Sequence, residues 1–346
     1  MSNISDMLYI SNVDELAMRF NLLHPDEREI FADMMKDWLR AQGFNLNDLI
    51  TAKEDDGIQC PHCRNIDPKM IARYGVRQGI QRYRCKACSK MFSSTTGSFL
   101  SWTKKNFYTW KSFIKSMMEG HSVRKSATVC KIHRNTAFMW RHKILDALAQ
   151  YQNSQGRMRG VVEVDDTLFR LSYKGSKPPD RESRQRGTPA SKPGTSKEQV
   201  CVSCAVERNG KVFSKVSALG RTTAKVLKTV FRGRISKRSI ICTDKDTALA
   251  KFVAGKKCEH VPLNGPTDRK GPYHIQNINS YHSRLREFIR RFKGVATKYL
   301  DNYLVYFNFM REGSRSRAEL LKLAIKALVF DRWADISNRP AIPIPA

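Results

Sequence analysis

The chain has 346 residues, 41% hydrophobic and 27% charged, and its 62 Lys and Arg outweigh 32 Asp and Glu for a formal charge of +30. That length makes two or three domains, and with no apolar run long enough to span a bilayer and no basic patch ahead of an apolar core at the N-terminus, the composition argues against a membrane protein and for a cytoplasmic one. So large a cationic surplus calls for a polyanionic partner, since each Lys or Arg that neutralises a phosphate releases a condensed counterion.

The surplus is uneven: residues 1–50 hold 4 basic and 9 acidic side chains, leaving 58 against 23 for the remainder. Residues 1–52 read as an acidic helical segment, with Ile30, Phe31, Met34, Met35, Trp38 and Leu39 on one face between Pro25 and Gly43. Residues 53–100 are short, turn-rich and cysteine-bearing. Over 101–155 the pattern turns helical. Phe107, Trp110, Phe113, Ile114 and Met117 line one helix, Ser122 to Val129 forms a short second one, and Cys130 to His133 connects it to a third. Asn135 is expected to cap that third helix, which turns Ala137, Trp140, Ile144, Leu145 and Leu148 inward.

After Gly156 the period changes, and 156–312 reads as a mixed sheet alternating late with helices. Strands are expected over Val161–Leu171, Val200–Val206, Lys211–Ala218, Ser239–Thr243 and His260–Leu263, the second and third joined as a hairpin at Arg208-Asn-Gly. Helices fit Thr223–Phe231, Thr247–Phe252, 277–293 and 297–310. Residues 173–197, rich in Pro, Gly and Ser with seven Lys and Arg against two acids, read as a basic flexible loop. Residues 313–346 hold a last helix near Arg317–Phe330 and a Pro-rich tail.

Of nine cysteines, four form two tight pairs: Cys60-Pro-His-Cys63 and Cys85-Lys-Ala-Cys88. In a reducing compartment, pairs at this spacing favour metal over disulfides. Two-residue spacing turns both thiolates of a knuckle onto one tetrahedral Zn²⁺ at about 2.3 Å. One structural zinc is therefore expected, its binding energy supplying the folding energy of a zinc ribbon. Four thiolates leave no open position for catalysis. Cys130, Cys201, Cys204, Cys242 and Cys258 lie in apolar patterns and read as core residues.

The helical pair Ser122–Leu148 is a helix-turn-helix candidate, its second helix offering Arg134, Asn135, Arg141 and Lys143. Arg82 and Arg84 flank the second cysteine knuckle, and Arg284, Arg286, Arg290, Arg291 and Lys293 give a basic helix face suited to backbone phosphates.

In Val161-Val-Glu-Val-Asp-Asp-Thr, alternation puts Glu163, Asp165 and Thr167 on one strand face. The apolar run Ile240-Ile-Cys-Thr ends at Asp244, as a buried strand does where it delivers an acid at its carboxyl end. Two aspartates on adjacent strands can hold Mg²⁺ through hard oxygens. Two such ions, about 4 Å apart, would serve a phosphodiester displacement.

The order Val-Glu-Val-Asp-Asp, then Thr-Asp-Lys, then Lys-Gly-Pro-Tyr-His-Ile-Gln-Asn-Ile-Asn-Ser-Tyr-His-Ser-Arg-Leu resembles the bacterial insertion-sequence transposases that join an N-terminal zinc ribbon to a ribonuclease-H-like DDE-type domain. It is most similar to the branch with a D-D-N-K active site, over about residues 55–310. The resemblance implies a ribonuclease-H-like mixed sheet flanked by helices, behind the ribbon and the helix-turn-helix. It implies Asp165, Asp244 and Asn279 as ligands of two Mg²⁺ or Mn²⁺ ions, with Lys298 as the basic member. Glu163, Asp166 and Asp246 are the nearest rival acids, and Asn277 rivals Asn279. The implied activity is metal-dependent cleavage and strand transfer at terminal inverted repeats of double-stranded DNA. The implied enzyme is a homo-oligomer on element ends and target DNA, nucleoid-associated when bound. A DNA-binding regulator that has lost the chemistry, and a structure-selective nuclease of the same fold, are the alternatives.

Overall fold

The computed structural model describes His24 and residues 57–311, except 78, 79, 99, 102, 106, 155, 179–190, 192, 193 and 266. The helices expected in 26–42 and 317–330, the C-terminal tail and most of the basic loop lie outside the described residues. The contacts divide into two compact units that part after Thr96. Among the described residues no helix is long and apolar enough to cross a membrane.

The described part of the first unit is a three-stranded antiparallel sheet in the order β1 (Ile71–Arg77), β2 (Ile80–Cys85), β3 (Met91–Ser93). Its core is small: Cys60, Tyr83, Cys85 and Phe92, with the two rings 5.6 Å apart between centroids. Each cysteine knuckle is followed by a residue in the left-handed region, Arg64 at φ 62 and Ser89 at φ 59. The chain therefore bends sharply after each pair, folding the thiols inward rather than continuing a strand.

The second unit opens with α1 (Phe107–Met118), α2 (Val123–Val129) and α3 (Arg134–Ser154). Ser122 caps α2, its hydroxyl accepting from Lys125 N at 3.2 Å. At α3 the expected cap is wrong by two residues: α3 already starts at Arg134, and His133 Nδ1 accepts from Asn135 N at 3.2 Å. Lys131, at φ 48, makes the turn between α2 and α3. The apolar faces meet as their spacing requires, with Trp110 stacked on Trp140 at 3.7 Å and Phe113 edge-on to the same ring.

A five-stranded sheet follows, ordered β6 (Val212–Leu219), β5 (Gln199–Glu207), β4 (Val161–Arg170), β7 (Ile240–Asp244), β8 (Glu259–Leu263). β4, β5 and β6 form an antiparallel meander, whereas β7 runs parallel to β4 and β8 parallel to β7. This is a mixed sheet flanked by helices, as expected, with three antiparallel strands continued by two parallel ones. One face carries α4 (Ala224–Val230) and α5 (Thr247–Ala254), packed through Val162, Val164, Leu227, Phe231, Ile241 and Phe252. The other carries α6 (Gln276–Arg290) against β4 and β5, and α7 (Leu300–Arg311) against β6.

α7 also packs on α3. Asn302 donates to Asp146 at 3.0 Å, Gln152 to the Val305 carbonyl at 3.2 Å, and the Tyr306 hydroxyl to the Met117 carbonyl. The helical triplet is thus bolted to the sheet domain. Cys130, Cys201, Cys204 and Cys242 are buried and Cys258 half-buried, as apolar surroundings suggest.

Candidate active site

The four ribbon cysteines converge. Their sulfurs all lie within 4.8 Å of one another, with Cys60 to Cys88 at 3.7 Å and Cys63 to Cys85 at 3.6 Å. Backbone N–H of Cys88 above all draws the Cys85 thiol down to about 7. Four soft donors so arranged suit a closed tetrahedral zinc site.

In the sheet domain, β4 and β7 pair in parallel as Val161 with Ile240, Val162 with Ile241 and Glu163 with Cys242. Carried on by two residues, that register sets Asp165 beside Asp244. Alternation sends Val162 and Val164 into the α4–α5 layer and Glu163, Asp165 and Thr167 towards α6. Asp165 Oδ1 accepts from Asp166 N at 2.8 Å, and Asp244 Oδ1 from Asp246 N at 3.1 Å. Burial, and then the charge of Asp244, push Asp165 up to about 7. Two acids that resist sharing charge mark a place where a hard divalent cation would be favoured.

The rival acids have other work. Asp246 caps α5, accepting from Ala248 N at 2.7 Å and Leu249 N at 3.2 Å. Asp166 lies beside Ser203 and Cys201, and burial raises it to about 6. Glu163 is fully buried; it accepts from Asn277 Nδ2 at 2.7 Å and Ile278 N at 2.9 Å. The Asn277 amide nitrogen is thereby tied to Glu163.

From α6, Asn279, His282 and Arg286 recur at i, i+3 and i+7 and so share one helix face. Asn279 Nδ2 is buried with no partner among the described residues. His282 Nδ1 lies 3.7 Å from Asp165 Oδ2, and burial followed by the charge of Arg286 takes this imidazole down to about 4. Arg286 donates to Thr167 Oγ1 at 2.7 Å. Aromatic spacing marks His282 as a core residue, and buried it is, at 4% exposure. Its adjacency to Asp165 was legible only through its three-residue offset from Asn279.

The helix expected over 297–310 starts at Leu300, and Lys298 lies in the 3-10 turn Thr297–Tyr299 that precedes α7. Thr297 N donates to the Ser172 carbonyl at 2.8 Å, and Ser172 N to Thr297 Oγ1 at 2.9 Å, pinning that turn to the chain leaving β4. The Lys298 ammonium stands 5.1 Å from the Tyr299 ring centroid.

The acids do not close a coordination sphere by themselves. Among the described residues, the cysteine cluster is the one group of three or more His, Cys, Asp or Glu ligand atoms this tightly gathered. A site with two carboxylates and an amide leaves positions for water and substrate phosphate, which is how Mg²⁺ is usually held.

The expected DNA-facing residues divide. Arg134 and Asn135 are exposed at the start of α3, and Arg84, Arg284, Arg286, Arg290, Arg291 and Lys293 are exposed as well. Arg291 stands 4.0 Å from Glu287 across one helical turn. Arg82 is half-buried, with Nη2 3.4 Å from Met91 Sδ. Lys143 is half-buried, and desolvation lowers its ammonium. Arg141 contradicts the expectation outright: it is 0% exposed, donates to the His121 carbonyl at 2.6 Å, and lies 5.9 Å from the Phe292 ring centroid. Arg134 and Arg141 stand two turns apart on the same side of α3, but by Arg141 that side has come to lie against the packing that includes Phe292 after α6, and a long cation there is enclosed.

Residues 157–312 match the family described as the ISXO2-like transposase domain. A Halobacterium salinarum protein described as an uncharacterized protein in transposable element ISH50 is 23% identical over 268 residues, covering 74% of this chain and 86% of that protein. Among solved structures, the simian T-cell lymphotropic virus intasome in complex with PP2A regulatory subunit B56 gamma aligns at TM-score 0.26 and 13% identity, over 62% of this chain and 66% of that one, a little under two thirds of its length. The Mos1 strand transfer complex aligns at TM-score 0.24 and 12% identity, over 62% of this chain and 74% of that one.

Proposed function

Since the chain carries an ISXO2-like transposase domain over residues 157–312, we propose that it is a DNA transposase which cuts and joins the ends of an insertion sequence. The observation that carries the chemistry is that Asp165 and Asp244 lie on adjacent parallel strands, Asp165 being pressed towards neutrality by burial first and then by the charge of Asp244.

In this reading Asp165, Asp244 and the Asn279 carbonyl oxygen hold two divalent ions, Mg²⁺ or Mn²⁺. When bound, these supply Lewis-acid stabilisation to an in-line displacement at phosphorus. Asn279 offers a neutral oxygen where a carboxylate would bind more strongly, so Asp165 and Asp244 carry most of the electrostatic attraction. His282, kept neutral by burial, fills the space beside Asp165 without bringing a competing positive charge. Arg286, fixed on Thr167, presents a guanidinium beside the same strand face, suited to a phosphate oxygen of the substrate. Lys298, on its pinned turn, serves as a second point charge.

Arg134 and Asn135 at the exposed start of α3 would read terminal repeats, while the basic flank Arg284–Lys293 would track the backbone. Zinc held by Cys60, Cys63, Cys85 and Cys88 would keep the ribbon folded for the same DNA. Pairing two element ends requires at least two subunits, so the working form would be a homo-oligomer. The decisive experiment compares wild type with Asp244→Ala on a labelled terminal-repeat duplex, in Mg²⁺ or EDTA. Metal-dependent nicking and joining, lost in the variant while binding survives, is the expected result. Tight binding with no cleavage by either protein would replace the transposase with a DNA-binding regulator, and cleavage of branched DNA without joining would replace it with a nuclease.

A further inference from the structure

We propose that Glu163 is a positioning residue that clamps the first turn of α6 to the centre of β4, and so sets Asn279 against Asp165. The proposal rests on the transposase reading for what that spacing accomplishes, but the clamp itself is read from the contacts.

A helix begins with N–H groups that have no partner inside the helix. At α6 the N-cap is Ile275, which has no side chain able to accept, and it makes no side-chain capping bond. His274 Nδ1 answers the first N–H, that of Gln276, at 3.3 Å, and for Ile278 the acceptor comes from a distant strand, Glu163 Oε2 taking its N–H at 2.9 Å. The other Glu163 oxygen takes Asn277 Nδ2 at 2.7 Å, with Arg208 Nε 4.0 Å from the same atom. Arg208 also donates to the Pro272 carbonyl at 2.5 Å. The segment entering α6 is thus drawn onto one carboxyl group through side chains and backbone together.

A fully buried acid is costly unless such partners surround it, and an apolar residue would fill this space more cheaply if packing were all that mattered. What the acid adds is placement. Glu163 stands two residues before Asp165 on the same strand, and its acceptor bond falls on the residue just before Asn279. The clamp therefore ties the two halves of the candidate metal site through one rigid path. Displacements near 1 Å cost about a hundredfold in rate at such sites.

The test uses the full-length protein as wild type, Glu163→Gln, Asn277→Ala and the double variant Glu163→Gln/Asn277→Asp. Two readings are taken: Mn²⁺ binding without DNA, and Mn²⁺-dependent nicking of a terminal-repeat duplex. In Glu163→Gln the amide can accept only once, leaving its own N–H against a donor. Half-saturating Mn²⁺ should rise several-fold and nicking should fall roughly 10–100-fold, with duplex affinity unchanged. Asn277→Ala, at an exposed residue, should shift both readings the same way by less. The double variant reverses the polarity of one bond, so that the new amide donates to the new carboxylate and accepts from Ile278, and should recover much of the loss.

A role in stability alone would lower the melting temperature and leave half-saturation by Mn²⁺ where it is. Wild-type Mn²⁺ binding and nicking in folded Glu163→Gln would overturn the clamp. Should that variant fail to fold, wild-type behaviour of Asn277→Ala would do so. If the wild type never nicks DNA but Mn²⁺ affinity follows the variants as expected, the transposase reading falls and the clamp stands.

Discussion

Arg141→Met separates a structural cation from a DNA-binding one. Methionine keeps most of the unbranched stem but removes the guanidinium that donates to the His121 carbonyl at 2.6 Å and faces the Phe292 ring at 5.9 Å. A hydrogen bond to a charged group contributes about 1.5–3 kcal/mol. The Arg141 Nε is buried without an acceptor, which offsets part of that gain in the wild type. The lower half of the range is therefore the better expectation. At about 2–4 °C per kcal/mol for a domain of this size, the melting temperature should fall by roughly 3–9 °C. Calorimetry reads the first effect, and filter binding on a terminal-repeat duplex well below the transition reads the second. Arg141→Met should bind as the wild type does, whereas Arg134→Gln should melt like the wild type and bind more weakly, with a shallower salt slope. An Arg141→Met protein with unchanged melting temperature and a tenfold loss of affinity would refute the burial argument.

Three further outcomes follow from the sites. Each chain should contain one zinc, and Cys85→Ser or chelation at mildly acidic pH should release it and unfold the ribbon while leaving the sheet domain's melting transition in place; elemental analysis with calorimetry checks this. Asn279→Ala should raise the half-saturating Mg²⁺ for nicking by on the order of tenfold, and Asn279→Glu should lower it; equal half-saturation in all three proteins would remove Asn279 from the site. The third concerns pH. Asp165 is raised to about 7 in the folded chain from an ordinary 3.8, so between those values the folded state holds a proton the unfolded state has lost. The stability this gives is full below the lower value and fades as pH climbs through the upper one. In EDTA, wild type should therefore lose melting temperature between about pH 5 and pH 8 relative to Asp165→Asn, and Mg²⁺ should restore more of it at pH 8 than at pH 5. Parallel pH profiles for the two proteins would count against the buried pair.

Much of this molecule is written in short-range pattern. Thiol pairs at two-residue spacing need only a local turn to converge, so the cysteine site was legible before any fold. Strand alternation at Val161–Thr167 and the apolar run into Asp244 are likewise local, because a strand's side chains must alternate whatever lies above them. Helices α1 and α3 showed their buried faces for the same reason.

Tertiary structure decided the questions that depend on what packs against a residue. Arg134 and Arg141 sit on the same helix and look alike as basic residues, yet one faces solvent and the other is enclosed by α7 and Phe292. Glu163 and Asp165 share a strand face, and only the position of α6 makes one a clamp for Ile278 and leaves the other beside Asp244. Asn277 and Asn279 are two residues apart, and the direction of α6 assigns the first to Glu163. A sequence determines which side chains an element presents on each face, since backbone geometry is local. Which neighbour answers them is settled by contacts more than a hundred residues apart, such as Glu163 to Ile278, which no periodicity within one segment can encode.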